Sequence, residues 1–344
     1  MKSKDIKSVL GVVLLVFALG AGHCANAAIG GEDSSFISQV AFADGHLWIL
    51  SDEGTLSRID EGSDRQWRVS FTDPVLDLRT QNGTPIVITG KRPGAKVWTL
   101  HRWNGRGWTA AMDIPAHEDG LIAVASSPTG VTLLTTASLI DVTAGRRQET
   151  RVYWPAKISP YPLTSMLPQP QRVLVGFNGG EFGGGLWSID RKSGKVTGID
   201  GSRPEEPCRG PLECDPITAL SPKPADPDCA FVAIGLVHML QRGRIDEVCD
   251  KTARTVYEVP VKDDYHSTEP FFSLVIVESN VLAVGRHGIY QLERDGGASV
   301  SPMPPFQRIG GLDVSFGDPR VVLTYTKVNQ RRSLSGSVPL MTGR

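Results

Sequence analysis

Short apolar runs separated by turn residues fill almost the whole chain, and no long stretch repeats with a 3.6-residue period. One hairpin pattern recurs: a small residue, an apolar one, a variable pair, an apolar one, then a polar end. It reads KVWTLHR at 96–102, GLWSIDR at 185–191 and GIYQLER at 288–294. Weaker copies are TLSRIDE at 55–61, SLIDVTA at 138–144, RIDEVCD at 244–250 and RSLSGSV at 332–338. The apolar anchors are Leu56, Val97, Leu139, Leu186, Ile245, Ile289 and Leu334, spaced by 41, 42, 47, 59, 44 and 45 residues. Each anchor follows another apolar run, such as HLWIL at 46–50, PIVIT at 85–89 or VLVGF at 173–177. Before these lie third runs, such as SQVAF at 38–42, LIAVA at 121–125 and LDVSF at 312–316. Turn residues punctuate them, as at Asp44-Gly45, Asn82-Gly83 and Gly317-Asp318-Pro319.

Three or four short antiparallel strands repeated every 40–50 residues are the mark of a β-propeller blade. The chain resembles seven-bladed β-propeller repeat proteins over essentially all of 30–344. The resemblance implies an all-β, seven-bladed disc of short antiparallel strands in a single domain, 28–344. The 59-residue step is read as an insertion at about 201–228, rich in Pro and holding two cysteines. Ring closure is expected to draw on the N-terminal stretch Ala28–Phe36. No subfamily marks accompany the repeat: there is no G-H…W-D pair and no kelch diglycine. Asp190-Arg191-Lys192-Ser193-Gly194-Lys195 is similar to a quinoprotein-type turn, but it occurs once.

Residues 1–27 read as a secretory signal peptide. Lys2, Lys4 and Lys7 precede an uncharged apolar stretch from Val9 to Ala21, and Ala25-Asn26-Ala27 forms an A-x-A cleavage site. The apolar stretch is short for a membrane span, which needs about 20 residues. Cys24 suits a lipidated cysteine, but His23 stands where the preceding box wants a small residue. Losing this segment takes the net charge from −1 to −3. The mature chain is therefore expected to be exported, periplasmic or secreted, monomeric and without a membrane span. Near-balanced charge with no basic stripe argues against nucleic acid as a partner.

Four cysteines remain after export: Cys208, Cys214, Cys229 and Cys249. An even number in an exported chain favours disulfides, and four allow three connectivities. Cys229 and Cys249 are equidistant from residue 239 in one hairpin, so a symmetric register sets them opposite each other. That favours Cys229–Cys249 with Cys208–Cys214.

The repeat also collects chemistry. The tips joining each middle strand to the GLWSID-type strand must share one face of the disc. They carry Asp52, Glu53, Lys91, Arg92, Asn178, Glu181, His238, Arg286, His287 and Lys327. Polar tips are ordinary because loops are wet. The fourth tip stands out, with five glycines between Asn178 and Gly185 beside the lone acid Glu181. The expected ligand-binding arc is Asn178, Glu181, His238, Arg286 and His287. Glu181, His238 and His287 are the donors a divalent cation would take, and no other cofactor is indicated. Trp98, Trp187 and Tyr290 share one repeat position and are expected to pack between blades, while Trp103 and Trp108 are expected to pair across their turn.

No G-x-S-x-G elbow, H-E-x-x-H pair or EF-hand loop is present. The favoured function is a binding or interaction module that presents one face to a protein or glycan. The alternative is a metal-dependent hydrolase or lactonase-like enzyme with its site over the channel. Fold alone does not separate these, because propellers host many activities.

Overall fold

The computed structural model describes residues 37–341 apart from 61–64, 92–93, 117–119, 155–162, 181–182, 200–214, 225, 238–240, 261–267, 278–279, 294–295, 303–311, 317–320, 329–330 and 334–338. Beyond residue 302 only the backbone is described. The signal segment, Ala28–Phe36, Glu181, His238, Cys208 and Cys214 lie outside the described residues.

Blade 1 is β1 (Ile37–Ala43), β2 (His46–Ser51), β3 (Leu56–Asp60) and β4 (Gln66–Val69). Blade 2 is β5 (Val75–Gln81), β6 (Thr84–Thr89), β7 (Val97–Trp103) and β8 (Trp108–Pro115). Blade 3 is β9 (Ala123–Ser127), β10 (Gly130–Leu134), β11 (Ser138–Thr143) and β12 (Arg146–Arg151). Blade 4 is β13 (Leu163–Pro168), β14 (Arg172–Asn178), β15 (Gly184–Asp190) and β16 (Val196–Gly198). Blade 5 is β17 (Ile217–Lys223), β18 (Asp226–Val237), β19 (Gln241–Cys249) and β20 (Thr252–Tyr257). Blade 6 is β21 (Phe271–Val277), β22 (Asn280–Gly285), β23 (Gly288–Leu292) and β24 (Ala298–Pro302). Each blade is an antiparallel meander whose strands pair in chain order.

The chain is thus an all-β propeller, but with six complete blades rather than seven. A further sheet follows: β25 (Leu312–Phe316), β26 (Val321–Val328), β27 (Arg331–Ser333) and β28 (Pro339–Met341). It does not complete a seventh meander. β27 pairs with one end of β26 and β28 with the other, and among the described residues no fourth strand extends this sheet. The repeat itself is weaker here in sequence. The six other copies place Ile59, Leu100, Val142, Ile189, Val248 or Leu292 at their second apolar position, and the last places Ser337 there. The first strands of the sheets line the axis, each packed beside the next, and β25 stands between β21 and β1. Each complete blade uses only consecutive strands, so no strand exchange closes the ring among the described residues.

The core lies between blades. Ile86 and Ile88 point towards Val131 and Leu133 of blade 3, while Val87 points towards Trp48 and Leu50 of blade 1. Adjacent residues of a strand face opposite sides. Both sides are therefore buried, and the middle strands read as continuous apolar runs. Trp98 and Tyr290 are buried between blades as expected, and Trp187 is partly buried there. Trp103 lies opposite Trp108 with ring centroids 5.7 Å apart.

Blade 5 corrects one boundary. Residues 217–223 are its inner strand, so the expected insertion at 201–228 does not extend over them. Pro216 and Pro222 flank and interrupt the apolar positions, and the register shifts at both ends of β17, which hides a strand from a period-two reading. The next hairpin has the expected register. Cys229 opposes Cys249, Ala230 opposes Val248, and the two sulfurs are bonded. The disulfide closes a loop with a sequence separation of 20. Changing both cysteines to Ala should cost about 3 kcal/mol in a denaturant titration, and non-reducing peptide mapping should recover this link.

Two turn glycines give a matched test of packing. Gly45 has φ +72 and open space where a Cβ would go; Gly54 has φ +84 and Pro74 Cβ 2.7 Å from that position. Gly45→Ala should cost about 1 kcal/mol from conformation alone. Gly54→Ala should cost about 3 kcal/mol, because overpacking is added. Thermal or urea melts of the two variants compare them directly.

Candidate functional site

The segment leading into a blade passes between two hairpin tips. Three such segments share an acid–Pro–apolar triplet: Asp73-Pro74-Val75, Asp215-Pro216-Ile217 and Glu269-Pro270-Phe271. Pro offers only its carbonyl here. Pro74 O accepts from Gly90 N at 3.0 Å, Pro216 O from Gly235 N at 3.3 Å and Pro270 O from Arg286 N at 3.2 Å. On the other side, Val75 N donates to Gly54 O at 2.9 Å, and Gly185 N donates to Asp215 O at 3.0 Å. The tips and the triplets therefore occupy one end of the disc, the end where the tip residues were expected to gather.

In blade 6 the acid reaches the tip itself. Glu269 is 1% exposed. Its Oε1 accepts the backbone N–H of His287 at 2.7 Å, and its Oε2 lies 2.5 Å from His287 Nδ1. A carboxylate oxygen accepts, so Nδ1 carries the hydrogen, and in the neutral ring Nε2 is left as a lone-pair acceptor. The His287 side chain is 46% exposed. Tyr290 also bonds Glu269; burial first, and then the Glu269 charge, push the phenol well above its ordinary pKa. Burial does the same to Tyr257 nearby, again with Glu269 adding to it.

In blade 5 the equivalent acid, Asp215, is also buried and meets arginine rather than histidine. Arg244 Nη2 lies 2.5 Å from Asp215 Oδ2, and Arg242 pairs with the other oxygen. Arg244 Nε donates to both oxygens of Asp246 at 3.0 Å. Asp246 is fully buried, and burial raises its pKa although Arg244 opposes the rise. Burial pulls the Arg244 pKa down, but Asp246 and Asp215 outweigh it and hold the guanidinium charged.

The fourth tip closes on itself. Asn178 Oδ1 accepts from Gly180 N at 2.9 Å, and Gly179 N donates to Gly183 O at 2.8 Å. Asn178 thus caps its own turn, while Arg286 and His287 stand two blades on. Among the described residues, the one grouping able to hold a metal is Asp226, Cys229 and Cys249, whose two sulfurs are joined in the disulfide. Sequence reasoning missed Glu269, Asp215, Arg242 and Arg244. The recurring acid–Pro–apolar triplet was the available signal.

No protein-family model matches the chain, and no curated protein matches it. Solved propeller structures do. The extracellular domain of the putative one component system BT4673 from B. thetaiotaomicron aligns with TM-score 0.55 and 14% identity, covering 90% of this chain and 39% of that one. YCF48 from Cyanidioschyzon merolae aligns with TM-score 0.55 and 12% identity over 91% of this chain and 98% of that one. The β-propeller domain of Cps50 (Swd1) from Myceliophteria thermophila aligns with TM-score 0.54 and 12% identity over 90% and 97%. This chain spans well under half of the BT4673 chain it matches. These likenesses establish the β-propeller fold. No helix among the described residues is long and apolar enough to cross a membrane.

Two variants test the buried charges. Arg244→Ala leaves Asp215 and Asp246 without their shared cation and should cost about 3–5 kcal/mol at neutral pH. Asp246 already lies above the ordinary carboxyl range and should rise further. A raised carboxyl pKa penalises the fold above that pKa, so the deficit against wild type should shrink as pH falls. Glu269→Gln should leave the fold intact but change the His287 tautomer, read from the ¹⁵N shifts of Nδ1 and Nε2.

Proposed function

We propose that the protein is an exported interaction module and that a protein or glycan partner docks on the end of the disc carrying the hairpin tips. The observation that supports this is the anchoring of Arg286-His287 by buried Glu269. A half-exposed tip held rigidly loses little freedom on binding, which favours recognition. The binding arc of this reading is Asn178, Glu181, His238, Arg286 and His287. Where a divalent cation is held, Glu181, His238 and His287 are its donors. Export rests on the basic, apolar and A-x-A succession of residues 1–27, with cleavage after Ala27. The disulfide fits an oxidising compartment, and Cys208–Cys214 would form the second pair. The mature chain acts as a monomer.

The experiment screens the mature chain, residues 28–344, against immobilised glycans and candidate proteins from the same compartment. Any partner found is then measured with the double variant Arg286→Ala, His287→Ala. A tenfold or greater weakening at unchanged melting temperature is expected. Unchanged affinity removes this arc. Metal analysis of the same protein is the second readout: a stoichiometric divalent ion lost in Glu181→Ala, His238→Ala supports the cation, and its retention excludes those donors.

A further inference from the structure

The outer strands of the six blades are equivalent by repeat, but one differs sharply in charge. β12 reads Arg-Arg-Gln-Glu-Thr-Arg, with Arg146, Arg147 and Arg151 exposed. The other five outer strands together contain two cations, Arg68 and Arg254, and Arg254 is paired with buried Glu247. The chain runs on from β12 to Tyr153, which is 57% exposed. The turn after β15 in blade 4 adds Lys192 and Lys195, both exposed. These five cations form no ion pair among the described residues. Two acids stand near them, and both are engaged. Glu149 accepts from Ser138 Oγ at 2.8 Å, and Asp190 Oδ1 accepts from Ser193 N and Ser193 Oγ, each at 2.7 Å. The patch is therefore cationic in a mature chain whose net charge is negative.

The patch is also held in one shape. Tyr153 N donates to Gly194 O at 2.9 Å, and Thr150 Oγ1 donates to Arg191 O at 2.9 Å. Tyr153 and Lys195 form a parallel bridge. A Cβ on Gly194 would overlap Arg151 O, so the blade 4 turn lies hard against the end of β12. Arg191 ties the same turn to blade 3, where its Nη1 donates to Asp141 Oδ2 at 2.5 Å. Val152 is buried, so Arg151 and Tyr153 leave the chain on the same side, with Arg147 in line. Strand rise sets Arg147 and Arg151 about 13 Å apart and Tyr153 about 7 Å further on. The Arg151 Cζ lies over the Tyr153 ring, 5.6 Å from its centroid.

We propose that this strip binds an acidic glycan, a chain of uronate sugars laid along β12 and the blade 4 turn. Its carboxylates meet Arg146, Arg147, Arg151, Lys192 and Lys195, and one sugar ring packs its C–H face on Tyr153. A guanidinium takes a carboxylate through two parallel hydrogen bonds, which suits a ligand carrying one on each ring. The exposed aromatic ring among the cations decides the class of anion. A uronate unit holds a carboxylate and an apolar C–H face in one rigid group, so it meets ring and cations together. An acidic peptide offers carboxylates without that face. Single-stranded nucleic acid stacks successive bases on successive rings, and among the described residues this strip exposes one, Tyr153. A bilayer presents a plane, whereas Arg146 leaves the strand on the opposite side from Arg147. The site lies on the rim and is independent of the tip-face reading.

The test uses the mature chain and fluorescein-labelled hexagalacturonate, followed by anisotropy. Saturable binding at low ionic strength is expected, weakening severalfold at about 0.15 M salt. Arg147→Gln with Arg151→Gln should weaken it about tenfold, and Lys192→Gln with Lys195→Gln about threefold. Tyr153→Ala should weaken it about threefold, while Tyr153→Phe keeps the affinity. All these side chains are exposed, so an unchanged melting temperature is the control for folding. Methyl-esterified hexagalacturonate keeps the rings, loses the charge and should not bind. Unchanged affinity in Tyr153→Ala, or hexaglutamate binding as tightly as hexagalacturonate, would overturn sugar recognition in favour of charge alone. Binding of anionic vesicles or oligothymidylate in place of hexagalacturonate would overturn the glycan in favour of those anions. Binding to none of these probes would leave the arginines as a guard against pairing between outer strands and overturn the proposal. Arg286→Ala with His287→Ala should leave the hexagalacturonate affinity unchanged. Loss of binding in that variant would place the glycan on the tip face, overturning the rim site while supporting the tip-face reading.

Discussion

The ring depends on how closely the chain passes itself between blades. A segment leading into a blade must leave the outer strand, cross one end of the disc and begin the inner strand of the next sheet. It does so wedged between two hairpin tips, at separations that leave no room for a side chain. A Cβ on Gly184 would overlap Asp215 O, one on Gly235 would overlap Phe271 O, and one on Gly243 would overlap Glu269 O. Glycine at these tips is a packing requirement rather than a flexible choice. It sets the distance between successive sheets, and hence how the apolar faces of neighbouring blades meet.

That close passage also explains the buried charge. In two of the three triplets the residue before Pro is buried in the wedge, Asp215 and Glu269. An acid there must find donors or lose stability. Asp215 finds Arg242 and Arg244, and Glu269 finds the backbone N–H and ring of His287 and the hydroxyl of Tyr290. The two solutions occupy the same place in successive repeats but differ in consequence. The Arg244 guanidinium is spent between Asp215 and Asp246 and is itself buried. The imidazole uses one nitrogen for Glu269 and keeps the other on a half-exposed ring. Repeat symmetry supplies the position; the residue placed there decides whether it only holds the blade or also presents a group outward.

Much of the fold was legible because the repeat imposes one spacing on every blade. The anchors from Leu56 to Ile289 all fall in the third strands of their blades, and counting outward from residue 239 yields the observed Cys229–Cys249 pairing. What escaped was whatever the apolar pattern does not encode. The pattern reads a full seventh blade from Leu334, although Ser337 stands at its second anchor. The inner strand at 217–223 reads as part of an insertion because prolines flank it and break its alternation. In the candidate site, Arg286 and His287 could be placed on a tip from sequence, but Glu269 could not, since it lies in a connector and its partner is eighteen residues away. Asn178 has a local role that the pattern does not reveal. A polar residue beside glycines resembles a ligand group, yet its carbonyl oxygen is committed to Gly180 N.

Placement within a blade also separates two kinds of surface. At the tip end, side chains are fixed by the wedge, so their geometry is set before any partner arrives. At the rim, each outer strand has ladder groups facing outward and side chains on both sides. The rim is uniform in backbone and can be distinguished only by side chains. Five of the six outer strands make little use of charge for this, and β12 uses three arginines in six residues. Their charge is not consumed by neighbouring acids: Asp141 is held by Arg191, and the Asp190 oxygen Oδ1 is occupied by the Ser193 hydroxyl and backbone, which also lower its pKa. A strand whose arginines have no ion pair among the described residues, with Arg151 lying over the Tyr153 ring instead, is charged outward. Electrostatics therefore gives one position on an otherwise repetitive rim its own identity.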